Sequence, residues 1–215
     1  ASDVYKRQGI HGVMDFCNLL KRGGKPYAVA AGHWEHSDVL EQTVCCVRAA
    51  AAARAVRGSR VGVFGGCFQG MGDFQVTPQE LAERFGAELI EASADEMREY
   101  TRSVTEEEIE AEICADRERF RFPEPIEDGV YRANTRACLA IRKWIEAKKL
   151  DAFTVNFLKA CPAYGIDTMP FLEACKAMTR GIGYAGEGDA LDAMLAGALI
   201  LSLIHISEPT RQAEI

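Results

Sequence analysis

The chain has 215 residues, 48% hydrophobic and 27% charged, the composition of a globular protein long enough to bury a sizeable core. Its 25 basic and 32 acidic residues leave a formal charge of −7, which argues against a broad basic footprint for nucleic acid or anionic lipid. The longest apolar runs, Ala49–Ala53 and Met194–Ile204, fall short of the roughly 20 residues of a membrane span, and the composition is neither collagenous nor disordered.

Both ends break the pattern beside them. Ser2–Gln8 can be encoded by TCAGATGTGTATAAGAGACAG, and the reverse complement of about its last 19 nucleotides encodes Leu201–Ile206 and opens a serine codon. One short DNA element in opposite orientations explains both ends, so residues 1–8 and 201–215 are expected to be adapter-derived. The part between them then reads as an internal segment of a longer protein. The eight cysteines, Cys17, Cys45, Cys46, Cys67, Cys114, Cys138, Cys161 and Cys175, form no CxxC pair. Several sit at apolar helical positions, which predicts buried free thiols and a reducing, cytoplasmic compartment.

In chain order, Lys25–Ala31 is a short apolar run that predicts a buried strand running into Gly32-His33-Trp34. Ser37 opens a helix that crosses the alanine-rich stretch and stops near Gly58, and Arg60–Phe64 predicts a second strand closed by Gly65-Gly66. Thr77-Pro78-Gln79-Glu80 is a capping box with proline at the first helical position; its helix ends at Phe85-Gly86, and Ala87–Ile90 reads as the next strand. Ser93–Glu96 and Thr105–Glu108 are two further capping boxes, and the acidic run Glu106–Glu112 reads as a solvated helix face. A proline-bearing loop spans Phe120–Asp128, followed by a long helix to about Lys149 and strand Ala152–Phe157. Helix Met169–Thr179, strand Ile182–Ala185 and helix Asp189–Ile200 complete the order. Strands alternating with helices predict an α/β fold with a mainly parallel, Rossmann-like sheet flanked by helices, and ligands in such sheets bind beyond the carboxyl ends of the strands. A boundary near Ser59 separates 9–58, the end of a first α/β domain, from 59–200, a second.

Chemistry-bearing residues gather at three places. In Ala185-Gly186-Glu187-Gly188-Asp189 a carboxylate is pinned between glycines after a strand and before a helix. It is either a metal ligand and proton-transfer group or a solvated loop acid beside an N-cap aspartate. The loop Gly65–Gly72 lacks the spacing of a dinucleotide fingerprint and the Gly-Lys-Ser/Thr of a Walker loop, and reads as a tight turn lining a pocket. His33 and His36 have a spacing compatible with a metal on one turn, against which stands a packed or capping role.

Three blocks resemble the L-arabinose/L-fucose isomerase family. They are His11-Gly12 with Val29–Trp34, Val61–Gly65 with the loop to Phe85-Gly86, and Ala152–Phe157 paired with Gly183–Asp189. The resemblance implies that 59–200 is the central domain, cut before a catalytic C-terminal domain. It further implies a metal-dependent aldose–ketose isomerase acting on L-arabinose, L-fucose or a related sugar by proton transfer through an enediol. By the same resemblance Glu187 is a Mn²⁺ (or other divalent cation) ligand and acid/base group, and the substrate pocket takes in His11, Phe68 or Met71, and Phe157. The partners implied are a small-molecule sugar and copies of the same chain, usually in a hexamer, with no nucleic acid and no membrane. The Gly65–Gly72 loop departs from the family pattern in carrying more glycines, which leaves the sugar open. The alternative from another class is a non-catalytic sugar- or nucleotide-binding α/β module.

Overall fold

The structure, a computed structural model, describes residues 9–70, 72–122, 124–159 and 161–203. The terminal segment 1–8, most of 201–215, and the candidate pocket residue Met71 therefore lie outside the described residues. The chain divides into two units, one up to Ala49 and one from Ala50 onward.

The first unit holds helix α1 (Gly9–Arg22) and the start of α2 (Val39–Val56). None of its residues from Gly9 to Ala49 is buried, and large apolar side chains such as Ile10, Phe16 and Trp34 are exposed. Lys25–Ala31, expected as a buried strand, is neither: it is irregular, unpaired among the described residues and largely exposed. A strand exists only through its ladder partners, and among the described residues none pairs with this run. His11 is exposed on α1.

The second unit is the α/β layer structure that the alternating pattern predicts. Strands β1 (Arg60–Phe64), β2 (Glu88–Ala92), β3 (Ala152–Val155) and β4 (Gly183–Gly186) pair in parallel in the order β2-β1-β3-β4. The intervening helices are α3 (Pro78–Phe85), α4 (Ala94–Ser103), α5 (Glu106–Arg119), α6 (Asp128–Lys148) and α7 (Phe171–Thr179), and α8 (Ala190–Leu203) follows β4. Side chains alternate across the sheet as the two-residue period requires. Val61, Val63 and Ala152 pack with Leu81 of α3 and with Ala193 and Met194 of α8. On the opposite face, Phe64, Phe153 and Val155 share a core with Met97, Ile109, Ile141, Trp144 and Ala177 of α4 to α7. Gly62 is glycine for a packing reason: a Cβ there would collide with the Trp144 ring, which lies flush against β1.

Local helix signals are met in detail. Thr77 Oγ1 accepts the Glu80 amide at 3.1 Å while the Glu80 carboxylate accepts the Thr77 amide at 3.0 Å, and Gly86 closes α3 at φ 67°. Thr105 and Glu108 form the same reciprocal pair at the start of α5. Ser93 caps α4, but Glu96 leaves its half of the box and pairs instead with Lys148 at 2.7 Å.

The acidic run of α5 is exposed at Glu106, Glu107 and Glu110, as a solvated face should be, but several of its acids are also paired. Glu106 and Glu110 meet Arg132, Glu108 meets Lys143, and Glu112 meets Arg142 and Lys176. Arg132, Arg136, Arg142 and Lys143 of α6 supply bases along the side turned to α5, so charges that look free in sequence are paired in space. The innermost of them form an alternating row, Asp116–Lys176–Glu112–Arg142–Glu173–Arg180, with Glu173 fully buried. Hydrogen bonds from Arg142, aided by Lys176 and opposed by burial, hold the Glu112 carboxyl down at about 2 against an ordinary 4.5. A carboxyl lowered in the folded state stabilises above its unfolded value, and that contribution is lost as pH falls from about 4.5 through about 2. Urea midpoints measured from pH 6 down to pH 2.5 are expected to fall less steeply in Glu112→Gln than in the unsubstituted chain. Parallel slopes would show that the pairing contributes nothing to acid stability.

All eight cysteines are free, but of the thiols expected inside helices only Cys138 is buried, and burial pushes it up to about 12. Cys45, Cys46, Cys114 and Cys175 are exposed on their helices. Among the described residues no helix is long and apolar enough to cross a membrane.

Candidate active site

The strand order creates the site. From β1 the chain passes through α3 to β2 on one side, then returns through α4, α5 and α6 to β3 on the other. The segments leaving β1 and β3 therefore part in opposite directions at their carboxyl ends, and a crevice opens between them. A cavity of about 680 Å³ lies there, lined by Gly65–Gly70, Gln75, Asn156, Leu158 and Lys159. Its size falls within the usual range for small-molecule sites. The glycine-rich loop thus lines a pocket, as its composition suggests.

Asn156 fixes the shape of this crevice. It follows β3, is 3% exposed, and its Nδ2 donates to the carbonyls of Gly65 and Cys67, each at 3.3 Å. Its Oδ1 accepts the Leu158 amide at 3.1 Å, and its own amide donates to the Phe64 carbonyl at 2.9 Å. One buried amide side chain thereby ties the β1 loop to the β3 loop. The tie brings Phe68 and Phe157 together, with ring centroids 5.1 Å apart. Sequence reading gave Asn156 no role; its one signal is a lone amide side chain at the end of an apolar strand.

Glu187 arrives from β4. Gly186–Asp189 is a tight turn closed by the Asp189 amide on the Gly186 carbonyl at 3.1 Å, with Glu187 at φ 66° and Gly188 at φ 83°. Two successive positive φ values are those of a type I′ turn, which favours glycine and strains glutamate. Gly188 cannot be replaced without disruption: a Cβ would fall on the Gly66 carbonyl oxygen and the Cys67 Cα, so the two loops touch backbone to backbone. Buried Thr154 holds the turn from below, accepting the Gly188 amide at 3.0 Å and donating to the Gly186 carbonyl at 3.2 Å. The Glu187 carbonyl accepts the Phe68 amide at 3.0 Å, which joins the turn to the β1 loop.

Phe68, Phe157 and Glu187 are therefore brought to one edge of the sheet, while His11 belongs to the first unit. Glu187 is half-buried, and its carboxylate makes no hydrogen bond or ion pair among the described residues. Its neighbour Asp189 has the plainer role: Oδ1 accepts the Asp192 amide at 2.9 Å and caps α8. An unengaged carboxylate oxygen suits a hard divalent cation. Among the described residues Glu187 belongs to no set of three clustered ligating side chains.

Residues 70–202 match the family model described as L-arabinose isomerase central domain. The chain is similar to L-arabinose isomerase of Herpetosiphon aurantiacus, with 26% identity over 89% of this chain and 39% of that protein. It is similar to that of Halalkalibacterium halodurans at 27% over 85% and 37%. With that of Thermotoga maritima the identity is 25%, over 89% of this chain and 38% of the relative. The chain thus spans about two fifths of the length of these curated relatives. With the family model covering most of the α/β unit that carries the Glu187 turn, the chain belongs to the L-arabinose isomerase family, of which it holds central-domain sequence.

Proposed function

We propose that this chain is part of a metal-dependent aldose–ketose isomerase acting on L-arabinose, L-fucose or a related sugar, with Glu187 as a metal ligand and acid/base group. The observation that carries the reading is the Glu187 turn. A half-buried glutamate on strained backbone, its side chain without a partner among the described residues, is held at the carboxyl edge of the sheet, its carbonyl bonded to Phe68 of the loop that lines a cavity of sugar-binding size. Strain of this kind persists where the surrounding structure over-determines it, and here Thr154, Phe68 and the Gly188 contact do so.

When bound, a divalent ion of the Mn²⁺ type supplies polarisation of the sugar carbonyl and the neighbouring hydroxyl. Glu187 would hold it through one carboxylate oxygen. With a second acid from elsewhere in the complete polypeptide, Glu187 would also move the proton between C2 and C1 through the enediol. The tilted Phe68–Phe157 pair offers an apolar wall, and Asn156 keeps that wall and the Glu187 turn in register. The same reading puts the parent enzyme in the cytoplasm as a homo-oligomer, a hexamer in the family pattern, with no nucleic-acid partner.

The test is conversion of L-arabinose and L-fucose by the complete polypeptide, before and after chelation and with Mn²⁺ restored. Conversion that disappears with chelation and returns with the ion is expected. Equal rates with and without the chelator would remove the metal from the scheme, and no conversion of any pentose or deoxyhexose would remove the isomerase.

A further inference from the structure

We propose that His33, Glu35 and His36 form a second divalent-cation site, selective for nickel, copper or zinc, on the turn that precedes α2. The inference goes beyond the isomerase reading and shares no residue with it. All three side chains are exposed, and one ligand atom from each lies within 4.8 Å of the other two. An ion bonded to imidazole nitrogen or carboxylate oxygen at about 2.0–2.2 Å separates its ligands by at most about 4 Å, so less than an ångström of closure is needed. The two imidazoles are already stacked, with centroids 4.5 Å apart and planes inclined by 15°.

The backbone is what gathers them. The His33 carbonyl accepts the His36 amide at 3.2 Å, the Ser37 amide at 3.0 Å and the Ser37 hydroxyl at 2.8 Å. These three bonds close a single turn and set His33 and His36 three residues apart on its same side. Such exposed side chains turn without disturbing a core. The His33 Nδ1 accepts the Glu35 amide at 3.1 Å, so in neutral imidazole the proton sits on Nε2 and the Nδ1 lone pair is engaged by that amide. Coordination replaces that hydrogen bond and releases the Glu35 amide to water; no proton has to leave the ring.

Ligand chemistry names the class of ion. Two imidazoles with one carboxylate favour the later first-row divalent ions over Mn²⁺ and Mg²⁺, which prefer all-oxygen sites. The site therefore differs from the one proposed at Glu187 in its ion as well as its place.

The experiment is a calorimetric titration of the full 215-residue chain with nickel(II). His33→Ala, His36→Ala and Glu35→Gln variants are titrated alongside, all retaining the same eight thiols. One saturable site is expected in the unsubstituted chain, weakened at least about tenfold in each histidine variant and less in Glu35→Gln. Ring-proton signals of His33 and His36 should broaden in the NMR spectrum at lower nickel than those of His11 and His205. Equal affinity in the unsubstituted chain and the double histidine variant would overturn the site, as would Mn²⁺ binding there as tightly as nickel. Neither result bears on Glu187, whose test is isomerase activity of the complete polypeptide.

Discussion

Glu187→Gln in the complete polypeptide is expected to lower kcat/KM for aldose–ketose conversion by about 10²–10⁴-fold, the range for removing a positioned acid/base group. Glutamine keeps the length and shape of the side chain and removes its charge and proton-transfer capacity. The fold should not change, because the carboxylate makes no hydrogen bond or ion pair among the described residues. A second substitution separates a catalytic role from a structural one. Glutamate at φ 66° carries backbone strain of about 1 kcal/mol or more that glycine does not. Glu187→Gly is therefore expected to melt at the same temperature or higher while losing as much activity as Glu187→Gln. A group kept for stability would show the opposite order. Activity within a factor of three of the unsubstituted enzyme in Glu187→Gln would end the proposed role.

Glu173→Ala should cost about 3 kcal/mol of folding stability, lowering Tm by roughly 6–12 °C for a unit of this size. Glu173 is completely buried and accepts from Arg142 Nε at 3.0 Å, from Arg142 Nη2 at 2.6 Å and from Arg180. Removing it strands part of the Arg142 guanidinium in a site built for two carboxylates, Glu112 being the other. Arg180 is more exposed and can turn to water, so the loss falls mainly on Arg142. Desolvation already offsets much of the attraction within such a row. The double variant Glu173→Leu with Arg142→Met is accordingly expected to be more stable than Glu173→Ala alone. Thermal melts of the three proteins decide the matter; a double variant less stable than the single one would mean that the row contributes far more than its desolvation costs.

Rules of short range made much of this molecule legible from its residues. Thr77-Pro78-Gln79-Glu80 could do little but cap a helix, since hydroxyl, ring and carboxylate meet their partners within a single turn. Contiguous apolar runs marked β1 and β3, because strands of a parallel sheet are buried on both faces. The glycines around Glu187 announced a backbone that ordinary residues avoid, and the turn has that backbone. Resemblance of motifs supplied the family, and the family model agrees with it.

Other features depend on partners far away in the chain, and no local pattern reports them. Lys25–Ala31 has the composition of a strand and no ladder to join. Glu96 is placed for a capping box, yet a lysine 52 positions later claims its carboxylate. The acids of α5 are solvated at Glu106 and Glu110, yet nothing local announces the arginines of α6 that pair with them. The order β2-β1-β3-β4 decides where the crevice opens, and alternation of strands and helices fits several orders equally well. Asn156 then has a role only because that order sets the ends of β1 and β3 side by side. Residue types, spacing and the resemblance named Phe68, Phe157 and Glu187 as candidates for chemistry. Strand pairing, a long-range choice made by the packing of both sheet faces, decided that Phe68, Phe157 and Glu187 meet at one edge.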